Sequence, residues 1–295
     1  MAYALERSDP DMAAAVRRIA SEEIAGALSR LAEPDLSEAK RIHGLRKHVK
    51  RLRGLIRLVR PNFSGYKAEN AAFRDAARGI SGLRDAEVLR GTLETLADGA
   101  PDGAKTAIDH LRAALARDQA QLQETAGDDG LADFAQAMRE AQDRVADWDL
   151  QGNGFDLLED GLSDTWKAAR KLQRKARRDA DAEQIHEWRK KVKDHWYQAT
   201  ILSPIWPEMM APHVDAADHL GEWLGDHHDL AVFIDRLAVE EGLDADDRAT
   251  LEALAAKRQK KLERKARHLA TRLLAEDEAA LVGRWRVWWQ QWQQD

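Results

Sequence analysis

Between Lys40 and Arg60 the chain carries nine cations and no carboxylate: Lys40, Arg41, Arg46, Lys47, Lys50, Arg51, Arg53, Arg57 and Arg60. Seven more stand between Lys167 and Arg178, again without an acid. Eight stand between Lys257 and Arg272, against the single acid Glu263. These windows hold roughly half of the 46 Lys and Arg residues of a chain whose net charge is −6. Solvated helix faces ordinarily mix signs through i,i+4 pairs. Cations set apart from acids on an otherwise acidic body make a local positive site, which concentrates anions. Arg meets phosphate oxygens with a bidentate fork, Lys with a point charge, and His with a charge when protonated.

The spacing of the first window says how those groups are presented. On a helical wheel with His43 at 0°, Ile42, Leu45, Val49, Leu52, Ile56 and Val59 fall between about 160° and 260°, the face to be buried. Arg46, Lys50, Arg53, Arg57 and Arg60 fall between about 260° and 340°, and His43 closes the row. The basic row therefore borders the apolar face instead of lying opposite it. Such a row can line a gap between packed helices, with stems on apolar surface and charged heads in the gap. One turn rises about 5.4 Å, so the row is a ladder of charges about 5 Å apart. A linear polyanion can use every rung, whereas a small anion leaves most of them idle.

The same helix recurs. Ile42, His43, Arg46, Lys47, Val49 and Lys50 reappear as Ile185, His186, Arg189, Lys190, Val192 and Lys193, a shift of 143 residues that also carries Pro61 to Pro204. Downstream, Arg84, Asp85 and Val88 reappear as His228, Asp229 and Val232 at a shift of 144. Two matched blocks in one order at nearly one offset imply a duplicated unit. The second copy departs further along, with Trp196, Thr200 and Ser203 where the first has Arg53, Arg57 and Arg60. Two neighbouring stripes are positioned to compensate: Arg170, Arg174 and Arg177, and Lys257, Lys260, Lys261 and Arg264. If these helices face one cavity, the cations are redistributed around it.

The elements that hold these residues are helices. Apolar positions recur at three- and four-residue steps, and Ala, Leu, Arg and Glu outweigh β-branched residues. The pattern predicts helices over 11–32, 38–60, 67–97, 103–126, 131–147, 155–179, 183–203, 209–241, 246–274 and 277–293, with breaks at Pro34, Pro61, Pro101, Gly152–Gly154 and a connection crowded by Pro204, Pro207 and Pro212. The expected fold is all-α. Two antiparallel helical bundles, residues 1–150 and 151–295, pack as one unit about a pseudo-twofold axis and enclose a basic cavity or channel. With no Cys there is no disulfide, thiolate metal site or cysteine nucleophile. No apolar run is long enough to span a membrane. Residues 1–10 lack the apolar core of a secretory signal, so a cytoplasmic protein is expected.

These motifs resemble the CHAD family, the conserved histidine α-helical domain. That family carries a His-x-x-Arg-basic-x-x-Lys/Arg helix twice, each followed by a Leu-Gly-x-x-Arg/Asn/His-Asp-x-x-Val block. Here His43, Arg46, Lys47 and Lys50 make the first helix, and His186, Arg189, Lys190 and Lys193 the second. The blocks are Ile80 to Val88 and Leu224 to Val232, with Ile80 and Ser81 in place of Leu-Gly in the first. The resemblance covers nearly the whole chain. It implies two similar helical bundles around a basic cavity that binds inorganic polyphosphate, in some members at storage granules. The residues it marks are His43, Arg46, Lys47, Lys50, Arg53 and Arg57, His186, Arg189, Lys190 and Lys193, and the flanking stripes. Trp196 stands where the family favours a basic residue, so that end of the second row is not expected to touch ligand. Binding by these groups should weaken with salt, and should tighten below about pH 6.5 if both His ionise.

Other chemistry finds little support. His227, His228 and Asp229 could suggest a metal phosphohydrolase, but the remaining ligands have no diagnostic spacing. Asp85 and Asp229 are better read as orienting basic side chains or capping a helix. Glu183 to His186 is a single Glu-x-x-His where a di-iron bundle needs two. There is no Gly-rich phosphate loop, and Ala280 stands where the Glu-x-Glu-x-Lys motif of triphosphatases requires Lys. We expect no cofactor, no metal and no catalytic residue. A nucleic acid is the alternative polyanion, and a metal-dependent phosphohydrolase a weaker one. Trp285, Trp288, Trp289 and Trp292 share one helical face, which either packs onto the second bundle or forms a docking surface.

Overall fold

The computed structural model describes residues 3–80, 82–125, 129–176 and 180–294. Among them are eleven α-helices: α1 (Met12–Leu31), α2 (Glu38–Leu58), α3 (Tyr66–Gly79), α4 (Gly82–Ala97), α5 (Lys105–Thr125), α6 (Asp129–Val145), α7 (Asp156–Lys175), α8 (Ala182–Leu202), α9 (Pro207–Val239), α10 (Ala245–Leu273) and α11 (Glu278–Trp292). Four start at an Asp whose carboxylate accepts from the backbone three residues on: Asp11 from Ala14, Asp181 from Gln184, Asp244 from Asp247 and Asp277 from Ala280. The fold is all-helical, as its periodicity requires.

One expected helix is two. The stretch 67–97 divides into α3 and α4, and Ile80 leaves the helical region at φ −117°, ψ 24°. Gly79 and Gly82, poor helix formers, flank Ile80 and Ser81, which are only intermediate, so this stretch has the weakest helical preference of the segment. In the second half the corresponding stretch is α9, which runs unbroken for 33 residues; it opens on Pro207 and carries Pro212 inside the helix, not in the connection.

The packing order of the first half recurs in the second. α1 packs on α2 and α6 as α7 packs on α8 and α11, while α2 meets α3 and α4 meets α5 as α9 meets α8 and α10. Between the halves, α2 lies on α8 and α4 on α9. Two apolar cores result, and both cross the midpoint of the chain. The larger joins α1, α2, α3, α6, α7, α8 and α11 with the start of α9 and the end of α10. The smaller joins Leu93, Leu96, Leu111 and Leu115 of α4 and α5 to Leu230, Phe233, Leu237, Leu251 and Leu262 of α9 and α10. At the α2–α8 crossing a Cβ on Gly54 would stand 2.7 Å from the Cβ of Tyr197, so only glycine permits this approach.

The aromatic face of α11 is turned into the larger core. Trp285 is fully buried and Trp292 nearly so. Trp288 packs edge-on to Trp206 with ring centroids 5.0 Å apart, and Trp289 lies 5.9 Å from Phe155. Trp285 closes a box with Trp166 around two imidazoles, His195 and His213, whose Nε2 atoms are 2.7 Å apart. One of the two nitrogens must donate and the other accept, so the two imidazoles cannot both be protonated in this contact. Burial lowers both histidines, His195 well below its ordinary 6.5 and His213 to about 4. As pH falls from about 6.5 toward 4, the unfolded chain takes up protons that the folded pair refuses, and stability is lost over that window. Chemical denaturation between pH 7 and 4 should show this loss, and His213→Gln should flatten the profile. An unchanged profile in the variant would remove the pair from the account.

Candidate functional site

The apolar face assigned to α2 is the one that is buried: Ile42, Leu45, Val49, Leu52, Ile56 and Val59 are all shielded. Its basic row therefore stands at the edge of the α2–α8 contact. There α2, α8 and α9 enclose a cavity of about 650 Å³. α2 contributes His43, Arg46, Lys47, Lys50, Arg53 and Arg57 to its walls. α8 contributes Glu187, Arg189, Lys190, Lys191, Lys193, Asp194, Trp196 and Tyr197, and α9 contributes Asp218 and Glu222. Nine Lys and Arg thus face four carboxylates.

His43, Lys47 and Lys50 are exposed, whereas Arg46, Arg53 and Arg57 are half-buried. Arg53 donates from Nε to Asn70 at 3.1 Å, and burial next to Arg57 pulls its pKa down. Three of the carboxylates already hold cations. Asp194 accepts from Arg57 at 2.8 Å and lies 3.5 Å from Lys191; Asp218 lies 2.9 Å from Lys193; Glu187 pairs with Lys190. Burial pushes the Asp194 carboxyl up and the Lys193 ammonium down. Lys193 also sits 3.5 Å over the Trp196 ring, a cation–π contact. Trp196 thus lines the cavity after all, as a platform for a cation.

Arg189 is placed differently. Its Nε is buried and has no hydrogen-bond partner among the described residues. It passes over Gly225 of α9, where a Cβ would come within 3.1 Å of that nitrogen. The glycine of the Leu224–Gly225 pair thereby acquires a physical reason.

Other expected residues lie elsewhere. His186 is not in the cavity wall; its ring packs against His228 with centroids 4.0 Å apart and the planes tilted by 36°. Burial, then His228, Lys190 and Arg189, lower its pKa to about 4, so it is neutral near pH 6.5. Any gain in charge from His186 belongs well below the pH first expected. Arg170 donates to the Leu274 carbonyl at 3.3 Å and pairs with Glu278, fastening the α10–α11 turn. Arg174 is exposed on α7, and Lys257, Lys260, Lys261 and Arg264 are exposed along α10. None of these flanking cations is in the cavity wall. Arg177 lies outside the described residues, as do the side chains of Arg84 and Asp85.

Glu187, Lys191, Asp194, Tyr197, Asp218 and Glu222 were not foreseen. On a wheel α2 presents its lining residues over about 120°, but α8 presents its own over about 220°. α8 projects into the cavity, so residues beyond the border row reach it. Among the described residues no three His, Asp or Glu side chains converge as metal ligands. Among them also, no helix is long and apolar enough to cross a membrane.

The sequence profile of the CHAD domain matches residues 20–238 of this chain. The chain belongs to the CHAD family. The crystal structure of the CHAD domain from the plant Ricinus communis superposes on this CHAD protein with a TM-score of 0.70 at 17% identity, covering 94% of this chain and 96% of that one. PptA from Streptomyces chartreusis superposes with a TM-score of 0.62 at 14% identity, covering 88% and 96%. At these identities the likeness is one of fold. No curated protein matches the sequence. In this CHAD protein the first repeated helix is α2 and the second is α8, so the two motif helices meet at the basic cavity.

Proposed function

We propose that this CHAD protein binds inorganic polyphosphate in the α2–α8 cavity and acts as a binder instead of a catalyst. The observation that carries the reading is the excess of Lys and Arg over carboxylates on a wall that follows one helix for four turns. Charges spaced along a line suit a ligand charged along its length. Three of the four acids there are engaged with Lys or Arg, which leaves few carboxylates to hold a catalytic metal. Polyphosphate granules in the cytoplasm would offer the ligand at high local density. Nucleic acid is the second reading, favoured by the same charges. A gap between two packed helices suits a thin chain better than a duplex, since packed helix axes lie only about 8–10 Å apart.

A competition experiment separates the two: unlabelled polyphosphate should displace labelled polyphosphate, and tRNA at equal phosphate concentration should not. Displacement by tRNA at least as effective as by polyphosphate would favour the second reading. With an excess of five positive charges in the wall, log K should fall against log salt with a slope of about −3 to −4, by analogy with single-stranded polyanions. A slope near zero would contradict multivalent charge binding. Because His186 is held near 4, its own contribution to affinity, read as the difference between wild type and His186→Gln, should be absent between pH 8 and 6 and emerge only toward pH 4–5, where the bound anion favours its protonated form. A titration series read by fluorescence anisotropy checks this.

A further inference from the structure

We propose that Asp194 is a stop at one end of the cavity, confining a bound polyanion to it; the proposal rests on the polyphosphate reading above. A second, smaller cavity of about 310 Å³ lies between the end of α2 and α7, lined in part by Arg57, Arg60, Tyr66, Thr165 and Lys191. Arg57 and Lys191 are in the walls of both cavities, so the two adjoin there. A chain leaving the larger cavity for Arg60 must pass these two cations.

Asp194 lines the larger cavity and reaches both of these shared cations. One carboxylate oxygen accepts from Arg57 Nη1 at 2.8 Å, and the other lies 3.5 Å from Lys191 Nζ. Its side chain is only 8% exposed, so water does little to screen it. The carboxylate neutralises the two groups a phosphate would need and repels the phosphate itself. A passive strut between α2 and α8 would need only one cation; turning an oxygen to each of the two shared cations blocks the step between cavities. The basic row of α2 runs on to Arg60, but the ligand does not.

The test is affinity for polyphosphates of defined length, from shorter than the larger cavity to much longer, corrected for the registers a long chain offers. Four proteins are compared: wild type, Arg60→Ala, Asp194→Asn and the double variant. Wild-type affinity should level off with length, and Arg60→Ala should match it within twofold at every length. Asp194→Asn should raise long-chain affinity at least fivefold more than it raises that of the shortest chains, and adding Arg60→Ala should remove most of this difference. Arg60 is exposed, so its arm stands even if Asp194→Asn does not fold. Weaker long-chain binding by Arg60→Ala alone would show an open passage and overturn the proposal. An equal gain at all lengths from Asp194→Asn would reduce Asp194 to a general charge effect and overturn it too. A wild type that binds no polyphosphate refutes the underlying reading, a result distinct from either of these.

Discussion

Replacing Arg46, Lys47 and Lys50 together by alanine is expected to lower affinity for long-chain polyphosphate by about two orders of magnitude. Charge-assisted contacts are worth about 1.5–3 kcal/mol when well shielded. Lys47 and Lys50 are exposed and Arg46 is half-buried, so solvent screening reduces this to about 1 kcal/mol each. Three such losses amount to about 3 kcal/mol, or roughly 100-fold. The helix should persist, because alanine is the best helix former and none of the three lies on the buried face of α2. The matched control replaces Lys257, Lys260 and Lys261, which removes the same charge from the exposed side of α10. That variant should stay within about threefold of wild type. Equal losses in both variants would mean that net charge, not the cavity, governs binding.

The control also shows where the sequence is ambiguous. α2 and α10 carry similar runs of Lys and Arg, and composition cannot tell them apart. Their position relative to the apolar face can. On α2 the row borders that face. On α10 Lys257, Lys261 and Arg264 lie roughly opposite the buried residues Leu251, Ala255, Leu262, Ala266 and Ala270. The wheel that placed Arg46 in a gap places Lys257 in solvent. Arg170 escaped this test for another reason: its partners are carbonyls of a turn more than a hundred residues away, and no local pattern announces them. Asp218 and Glu222 were hidden likewise, since only the packing of α9 on α8 brings acids into a basic wall. The helices themselves were legible from periodicity and from the Pro and Gly breaks between them. The α3–α4 break was also written in the sequence, as Gly79 and Gly82 flanking Ile80 and Ser81, but an apolar period continuing through it masked the signal.

Trp285→Ala is expected to cost about 3–5 kcal/mol of stability, the usual range for a large aromatic removed from a core. Trp285 is fully buried and walls the His195–His213 pair together with Trp166. Removing it opens a void beside two neutral imidazoles, which water can enter only by displacing apolar packing. Urea denaturation followed by far-UV circular dichroism measures the loss directly. The aromatic periodicity of α11 fits a core face and a docking face equally well; burial decides between them. A variant as stable as wild type would return this face to the role of an interaction surface.

The arrangement of α2 and α8 also bears on why the family motif falls twice. Each copy supplies a short cationic segment, and a single copy would present its row to open water. Packed together across Gly54 and Tyr197, the two segments face one volume. Focusing there is stronger than on a free surface, because low-dielectric walls concentrate the field.

The most direct measurement is a crystal structure of the protein with a polyphosphate of defined length. The account predicts a continuous chain of phosphate density between α2 and α8, within reach of Arg46, Lys50 and Arg189 and ending before Arg60. Density lying along the outer face of α10, with the α2–α8 cavity empty, would contradict it.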